Sequence, residues 1–180
     1  DHLPADPVIA SLRAPLSPPW PAPGYSWYPI GGLDGRDPSA LTAAAEAVLA
    51  WADEHAADAA SIAFLGFSQG GAMSLQLLRL APERVTFAVN LSGYAAGGEL
   101  PGDAVLAETR PPVFWGRGSA DEVIPESAIA HTAAWLPEHS ELSGRIYPGM
   151  GHSVSQEEMT DLHHFLTLRY KTAAKTTPTA

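Results

Sequence analysis

Residues 61–73, Ser-Ile-Ala-Phe-Leu-Gly-Phe-Ser-Gln-Gly-Gly-Ala-Met, constrain this chain more than any other stretch. An apolar run stops at Gly66, and a helical pattern begins within two residues of Ser68. Gly66-Phe67-Ser68-Gln69-Gly70 fits G-x-S-x-G, the pattern of a strand that turns sharply into a helix and leaves a serine at the corner. Small residues are needed beside the serine because its backbone is strained and strand and helix approach closely. Five residues with three fixed positions also arise by chance. The weight of the pattern therefore depends on its surroundings.

Those surroundings alternate. Residues 7–13 read as a short strand, and residues 15–29 are too rich in proline for a helix interior or a central strand. That proline- and aromatic-rich stretch is either a packed surface loop or a wall of a site. A helix is expected from Asp37-Pro38-Ser39 to about Ala56, with Leu41, Ala44, Ala45, Val48, Leu49 and Ala52 at helical spacing. The strand 61–67 and a helix from Ser68 to about Leu80 follow, then a strand over 85–91. Residues 93–112 offer one helical turn near 104–108. Next come a strand at 112–116, a helix from Pro125 or Glu126, and a strand at 143–147. A last helix starts near Ser155, where Ser155 and Glu158 have capping-box spacing, and ends near Leu168. Residues 171–180 are polar and threonine-rich and are expected to be disordered. Unbroken apolar strands alternating with helices predict one α/β domain over residues 1–170, its mostly parallel sheet covered by helices on both faces.

Composition narrows the function. The 180 residues carry a formal net charge of −10, which disfavours nucleic acid and anionic membrane surfaces as partners. The absence of cysteine excludes disulfides, thiolate metal sites and a cysteine nucleophile. No apolar run approaches membrane-spanning length and no signal peptide is visible. The expectation is a cytoplasmic protein without stable membrane association, for which a homodimer is admissible. Six histidines, His2, His55, His131, His139, His163 and His164, have no matching acidic cluster, and no metal site is expected.

In a parallel sheet, the loops after the strands gather on one edge, where sites form. Ser68, Asp121 and His152 each follow a different strand and so share that edge. Their chain order, Ser then Asp then His, is that of the α/β-hydrolases. The chemistry needs a hydroxyl to attack, an imidazole to take its proton and a carboxylate to orient and stabilise the imidazolium. Each residue also has a plainer reading: Ser68 or Asp121 as a helix cap, His152 as a turn residue. Glu122 is a rival for the acidic role. The coincidence at three strand ends favours the triad.

Four blocks then resemble the phospholipase/carboxylesterase family, which includes the acyl-protein thioesterases. They are Gly66-Phe67-Ser68-Gln69-Gly70-Gly71-Ala72; Leu91-Ser92-Gly93-Tyr94; Trp115-Gly116-Arg117-Gly118-Ser119-Ala120-Asp121 with Ile124-Pro125; and Tyr147-Pro148-Gly149-Met150-Gly151-His152. The resemblance runs from about residue 7 to 168, and Arg13-Ala14-Pro15 and Tyr25-Ser26-Trp27-Tyr28 also share in it. It implies an α/β-hydrolase fold and ester hydrolysis through an acyl-serine, without cofactor or metal. By position, Ser68 is nucleophile, Asp121 the acid and His152 the general base. The family's segment with a His-Gly loop, which supplies one oxyanion-hole N–H, has no counterpart in this sequence. The Gln69 backbone N–H supplies the other. The missing strand would lie between residues 8–12 and 62–67, so the chain reads as an N-terminally truncated piece of a longer protein.

About twenty residues separate Leu91 from Pro112, too few for a lid domain. An open site for small-molecule esters of short or medium acyl chain is expected, with Trp27, Trp115 and Met150 as candidate walls and core packing as the alternative for each. A neutral imidazole is needed for the base, so activity should rise through about pH 6–8. A thioesterase or lysophospholipase would use the same triad. A non-catalytic binding domain on the same fold is the alternative from another class.

Overall fold

The computed structural model describes residues 7–17, 23–29 and 38–176, with the side chains of 171–176 left aside. Its elements run α1 (Pro38–His55), β1 (Ile62–Phe67), α2 (Gln69–Leu80), β2 (Val85–Leu91), α3 (Pro101–Thr109), β3 (Pro112–Gly118), α4 (Glu126–His139), β4 (Glu141–Tyr147) and α5 (Gln156–Thr176). The four strands form one sheet in the order β1-β2-β3-β4. Every pairing is parallel. The α/β-hydrolase-like architecture expected from the sequence is the one observed.

Strand parity decides which residues face which layer, since successive side chains point to opposite faces. On β2, Phe87, Val89 and Leu91 meet Phe114 of β3 and Leu162, Phe165 and Leu166 of α5. Ala88 faces the other way, and Val85, set off by the register shift between Ile62 and Ala63, joins it in a cluster with Leu75 and Leu78 of α2, Leu106 of α3, Val113 and Trp115 of β3, and Leu136 of α4. A third cluster joins α1 to α2 through Leu41, Ala45, Val48, Met73 and Leu77, with Tyr28 and Tyr94. Fully burying a leucine is worth about 2 kcal/mol, and Leu78, Leu106 and Leu136 are each 0% exposed. Helices thus cover both faces.

Residues 92–111 are held down against this core. Arg79 on α2 is buried and grips Asp103 on α3 with two hydrogen bonds, Nε to Oδ1 at 2.8 Å and Nη2 to Oδ2 at 2.7 Å. Its remaining N–H groups reach the carbonyls of Ala96 and Gly98. Burial works to raise the Asp103 carboxyl, but the Arg79 hydrogen bonds and charge and the Leu100 N–H outweigh it and hold it below its usual range. A charge pair this buried is kept only with such complete bonding. The segment forms a loop and the nine-residue α3, longer than the single turn expected.

Three expectations are corrected. Residues 7–13 form no strand: Val8 is fully exposed and Ile9 is 58% exposed. Extended propensity needs a neighbouring backbone to become a ladder. Near this segment the structure shows only an isolated bridge between Leu16 and Ser26. β1 accordingly has β2 as its sole ladder partner among the described residues, and Leu65 and Phe67 are partly exposed along it. Second, α5 continues to Thr176, so residues 171–176 of the segment expected to be disordered are helical. Residues 177–180, Asp37 and His2 lie outside the described residues. Third, only half of the Ser155–Glu158 capping box forms. The Glu158 N–H donates to Ser155 Oγ at 3.0 Å, but neither Glu158 carboxyl oxygen has a partner in hydrogen-bonding geometry.

Glu158 is 0% exposed and packs against Gly116 and Phe114, where a Cβ on Gly116 would strike its carboxyl. Burial pushes this carboxyl up to about 7, offset slightly by the nearby Ser155 N–H. A raised carboxyl favours the folded state while protonated, and that advantage fades as pH climbs from the unfolded value of 4.5 to about 7. The whole effect amounts to roughly 3 kcal/mol. Glu158→Gln should therefore gain stability relative to the parent across that window and hold the gain above it. Urea titrations of both proteins at pH 5, 6, 7 and 8 test this, and a constant difference would refute it.

Candidate active site

The serine turn is built by close approach. Ser68 sits at φ 56°, ψ −117°, a left-handed conformation that costs a non-glycine residue of order 1–3 kcal/mol. Its N–H donates to Leu91 O at 2.8 Å, and its carbonyl accepts from Ala72 N at 3.1 Å, so strand and helix both hold it. A Cβ on Gly66 would overlap the backbone of Gly70, and one on Gly71 would strike Asn90 Oδ1. Asn90, buried on β2, uses that same Oδ1 to accept the Gly93 N–H at 2.7 Å. The end of β2 is thereby braced against the start of α2, and the Ser68 N–H bond to Leu91 O ties it to the turn.

Asp121 and His152 are brought together by two interlocked loops. After β3 and β4, Ser119 N donates to Tyr147 O at 3.0 Å, Ala120 N to Met150 O at 2.9 Å, and Gly149 N to Ser119 Oγ at 2.8 Å. Gly118 permits the contact, because a Cβ there would run into Met150 O. His152 Nδ1 lies 2.8 Å from Asp121 Oδ2, and His152 Nε2 lies 2.8 Å from Ser68 Oγ. The other Asp121 oxygen accepts the N–H groups of Val123 at 2.9 Å and Ile124 at 3.2 Å.

Burial works to raise the Asp121 carboxyl, but the hydrogen bonds from His152, Val123 and Ile124 outweigh it and hold it below its usual value. Asp121 is therefore an ionised acceptor at neutral pH. Nδ1 must carry the proton it accepts, which leaves the Nε2 lone pair facing the Ser68 hydroxyl. The Phe67 ring packs beside the imidazole, 4.9 Å away between centroids. Glu122, the rival acid, is exposed and the histidine turns to Asp121.

A groove of about 760 Å³ opens beside Ser68, lined among others by residues 8–12, Tyr25, Trp27, Leu65, Phe67 and Gln69. Of the three expected walls, Trp27 lies along it. Trp115 does not: it is 7% exposed and packed among Leu75, Val113 and Leu136 in the core, on β3, two strands away from β1. Met150 lies outside the groove lining; its carbonyl serves the loop contact above. Gln69 opens α2, so its N–H has no acceptor within the helix.

Residues 9–170 match the model of the phospholipase/carboxylesterase family. The chain belongs to this family. It is 30% identical over 151 residues to a probable carboxylesterase of Oryza sativa subsp. japonica, covering 78% of this chain and 57% of that protein. To acyl-protein thioesterase 1 of Debaryomyces hansenii it is 33% identical over 117 residues, covering 63% of this chain and 50% of that one. The chain thus spans about half the length of these relatives. Arabidopsis thaliana SOBER1 shares its fold at a TM-score of 0.68 with 24% identity, over 82% of this chain and 75% of that chain. A carboxylesterase from Mesorhizobium loti does so at 0.70 and 21% identity, over 86% and 73%.

In this chain's serine turn, the tightest approach is that of Gly66 to Gly70. Gly66→Ala should force strand and helix apart and lower stability by about 1–3 kcal/mol, with Ser68 losing its reactivity in the folded fraction. Chemical denaturation together with active-serine labelling checks both parts. An unshifted midpoint would contradict the packing described.

Proposed function

We propose that this chain carries a serine carboxylesterase site, with Ser68 as nucleophile, His152 as general base and then acid, and Asp121 as the residue that orients the imidazole. The observation that carries this reading is the continuous Asp121–His152–Ser68 chain, two contacts of 2.8 Å each. Ser68 Oγ attacks the ester carbonyl carbon while His152 Nε2 takes the hydroxyl proton. The carbonyl π electrons move to oxygen, and the Gln69 N–H stabilises that developing charge. As the tetrahedral species collapses, His152 returns the proton to the departing alkoxide, releasing an alcohol and leaving an acyl-serine. Water then attacks the acyl carbon, giving its proton to His152, and the carboxylic acid leaves as Ser68 Oγ recovers the proton.

The groove beside Ser68 supports esters of short or medium acyl chain, since Trp27, Leu65 and Phe67 offer apolar contact without enclosing it. A thioester would react through the same steps, as the name of the Debaryomyces relative suggests. Comparing p-nitrophenyl butyrate with its thioester analogue ranks the two. Nothing on the site requires a metal or cofactor for these steps.

A fluorophosphonate probe should label the parent protein and leave Ser68→Ala unlabelled, since among the described residues Ser68 is the serine that His152 Nε2 meets. Equal labelling of both would remove Ser68 from the reading. Asp121→Asn keeps the shape but favours the wrong imidazole tautomer, and hydrolysis of p-nitrophenyl butyrate should fall by about 10³-fold or more. A change of less than tenfold would mean that Asp121 is not the orienting acid.

A further inference from the structure

The side chain of Gln69 is not used by the mechanism above, which needs only its backbone N–H. Yet that amide is fully engaged. Gln69 Oε1 accepts the Trp27 N–H at 2.9 Å, and Gln69 Nε2 donates to the Tyr28 carbonyl at 2.9 Å. Ser26 Oγ lies 3.2 Å from Oε1 and 2.8 Å from the Tyr28 carbonyl, so its one proton is shared between them. Because a backbone donor and a backbone acceptor flank the amide, its orientation is fixed. An acid or an alkyl chain of the same length cannot satisfy both.

The residues so held are a piece of irregular chain outside the sheet, with Tyr28 in the core cluster and Trp27 packed against it. Leu16 and Ser26 exchange backbone hydrogen bonds at 3.1 and 2.8 Å, and the Tyr28 hydroxyl meets that of Tyr94 at 2.9 Å in the core. Between those two anchors, Trp27 lines the groove beside Ser68, and the Gln69 amide binds its backbone directly. A loop without a ladder depends on such side-chain contacts for its position. The residue that follows the nucleophile therefore faces two ways: its N–H toward the reacting carbonyl, its side chain toward the wall along which an acyl chain would lie.

We infer that Gln69 is a positioning residue for acyl-chain selectivity, its side-chain amide fixing residues 26–28, and with them the Trp27 wall, to the serine turn. This rests on Ser68 being the nucleophile. Losing the amide frees the wall, and long acyl chains lose contact that short ones never make.

The test compares the second-order rates at which octyl and ethyl fluorophosphonates label Ser68, so that it needs no turnover. In Gln69→Met the octyl-to-ethyl ratio should fall about five- to tenfold, the loss of one or two net hydrogen bonds, whatever rate change the two probes share. Trp27→Ala should lower the ratio similarly, and the double variant no further than either alone, because both act through one wall. An unchanged ratio in Gln69→Met, or losses that multiply in the double variant, would overturn the inference while leaving the nucleophile intact. Wild-type protein labelled no better than Ser68→Ala would overturn the nucleophile, and this inference with it. Should Gln69→Met lose its far-UV signal, Ser26→Ala removes the weakest arm alone. It should lower the ratio about twofold, and an unchanged ratio there counts against the inference.

Discussion

Everything at this site depends on how close a strand and a helix can come. The backbone of Gly66 touches that of Gly70, and that contact compresses the connection into a single strained residue, Ser68. A wider turn would relax the serine but carry its hydroxyl away from the imidazole. The strain is sustained by ordinary means: a hydrogen bond to Leu91 O on one side, the first turn of α2 on the other, and beneath them Met73 and Leu77 in a packed core. Asn90 extends the arrangement to the next strand, where Ser92 also takes a positive φ and donates its N–H to Gly116 O. The conformation of one residue is thus underwritten by the packing of several.

Asp121 and His152 arrive by a different route. No strain at a single residue places them; parallel strands deliver both loops to one edge, and backbone hydrogen bonds between the loops set their spacing. The carboxylate that orients the imidazole is itself saturated by N–H groups, which keeps it ionised despite burial. Two carboxyl groups near the same sheet end up in opposite states for that reason. Asp121 has donors and stays charged, whereas Glu158 lacks them and is pushed toward the neutral form.

Local sequence carried the parts of this design that are local. The turn was legible because glycine spacing reports a close approach directly, and Asp121 and His152 were legible because apolar runs mark strand ends. Trp115 was misplaced as a wall, although counting alternate positions from Val113 puts both on one face. Residues 7–13 carry extended propensity, but a ladder also needs a neighbour, and propensity contains no information about one. The Gln69 clamp, the Asn90 tie and the Glu158 burial were invisible for a shared reason. Each joins residues from separate elements whose approach only the folded chain defines.

The two halves of the site are not equally secure. Ser68 emerges from β1 and α2, welded to the best-packed helix of the domain, whereas His152 hangs between β4 and α5. β1 and β4 are the two edges of the sheet, but β1 runs straight into the buried α2, whereas Glu141, Arg145 and Ile146 along β4 face solvent. Free energies of local opening follow such differences in burial. On warming, the terminal strand-helix pair is the unit placed to detach first, carrying His152 away from a serine still held in its turn. Amide exchange would then be fast along β4 while α2 stays protected. Separation of Ser68 from His152 would be a partial, reversible melting at one end of the sheet, distinct from the collapse of the whole domain.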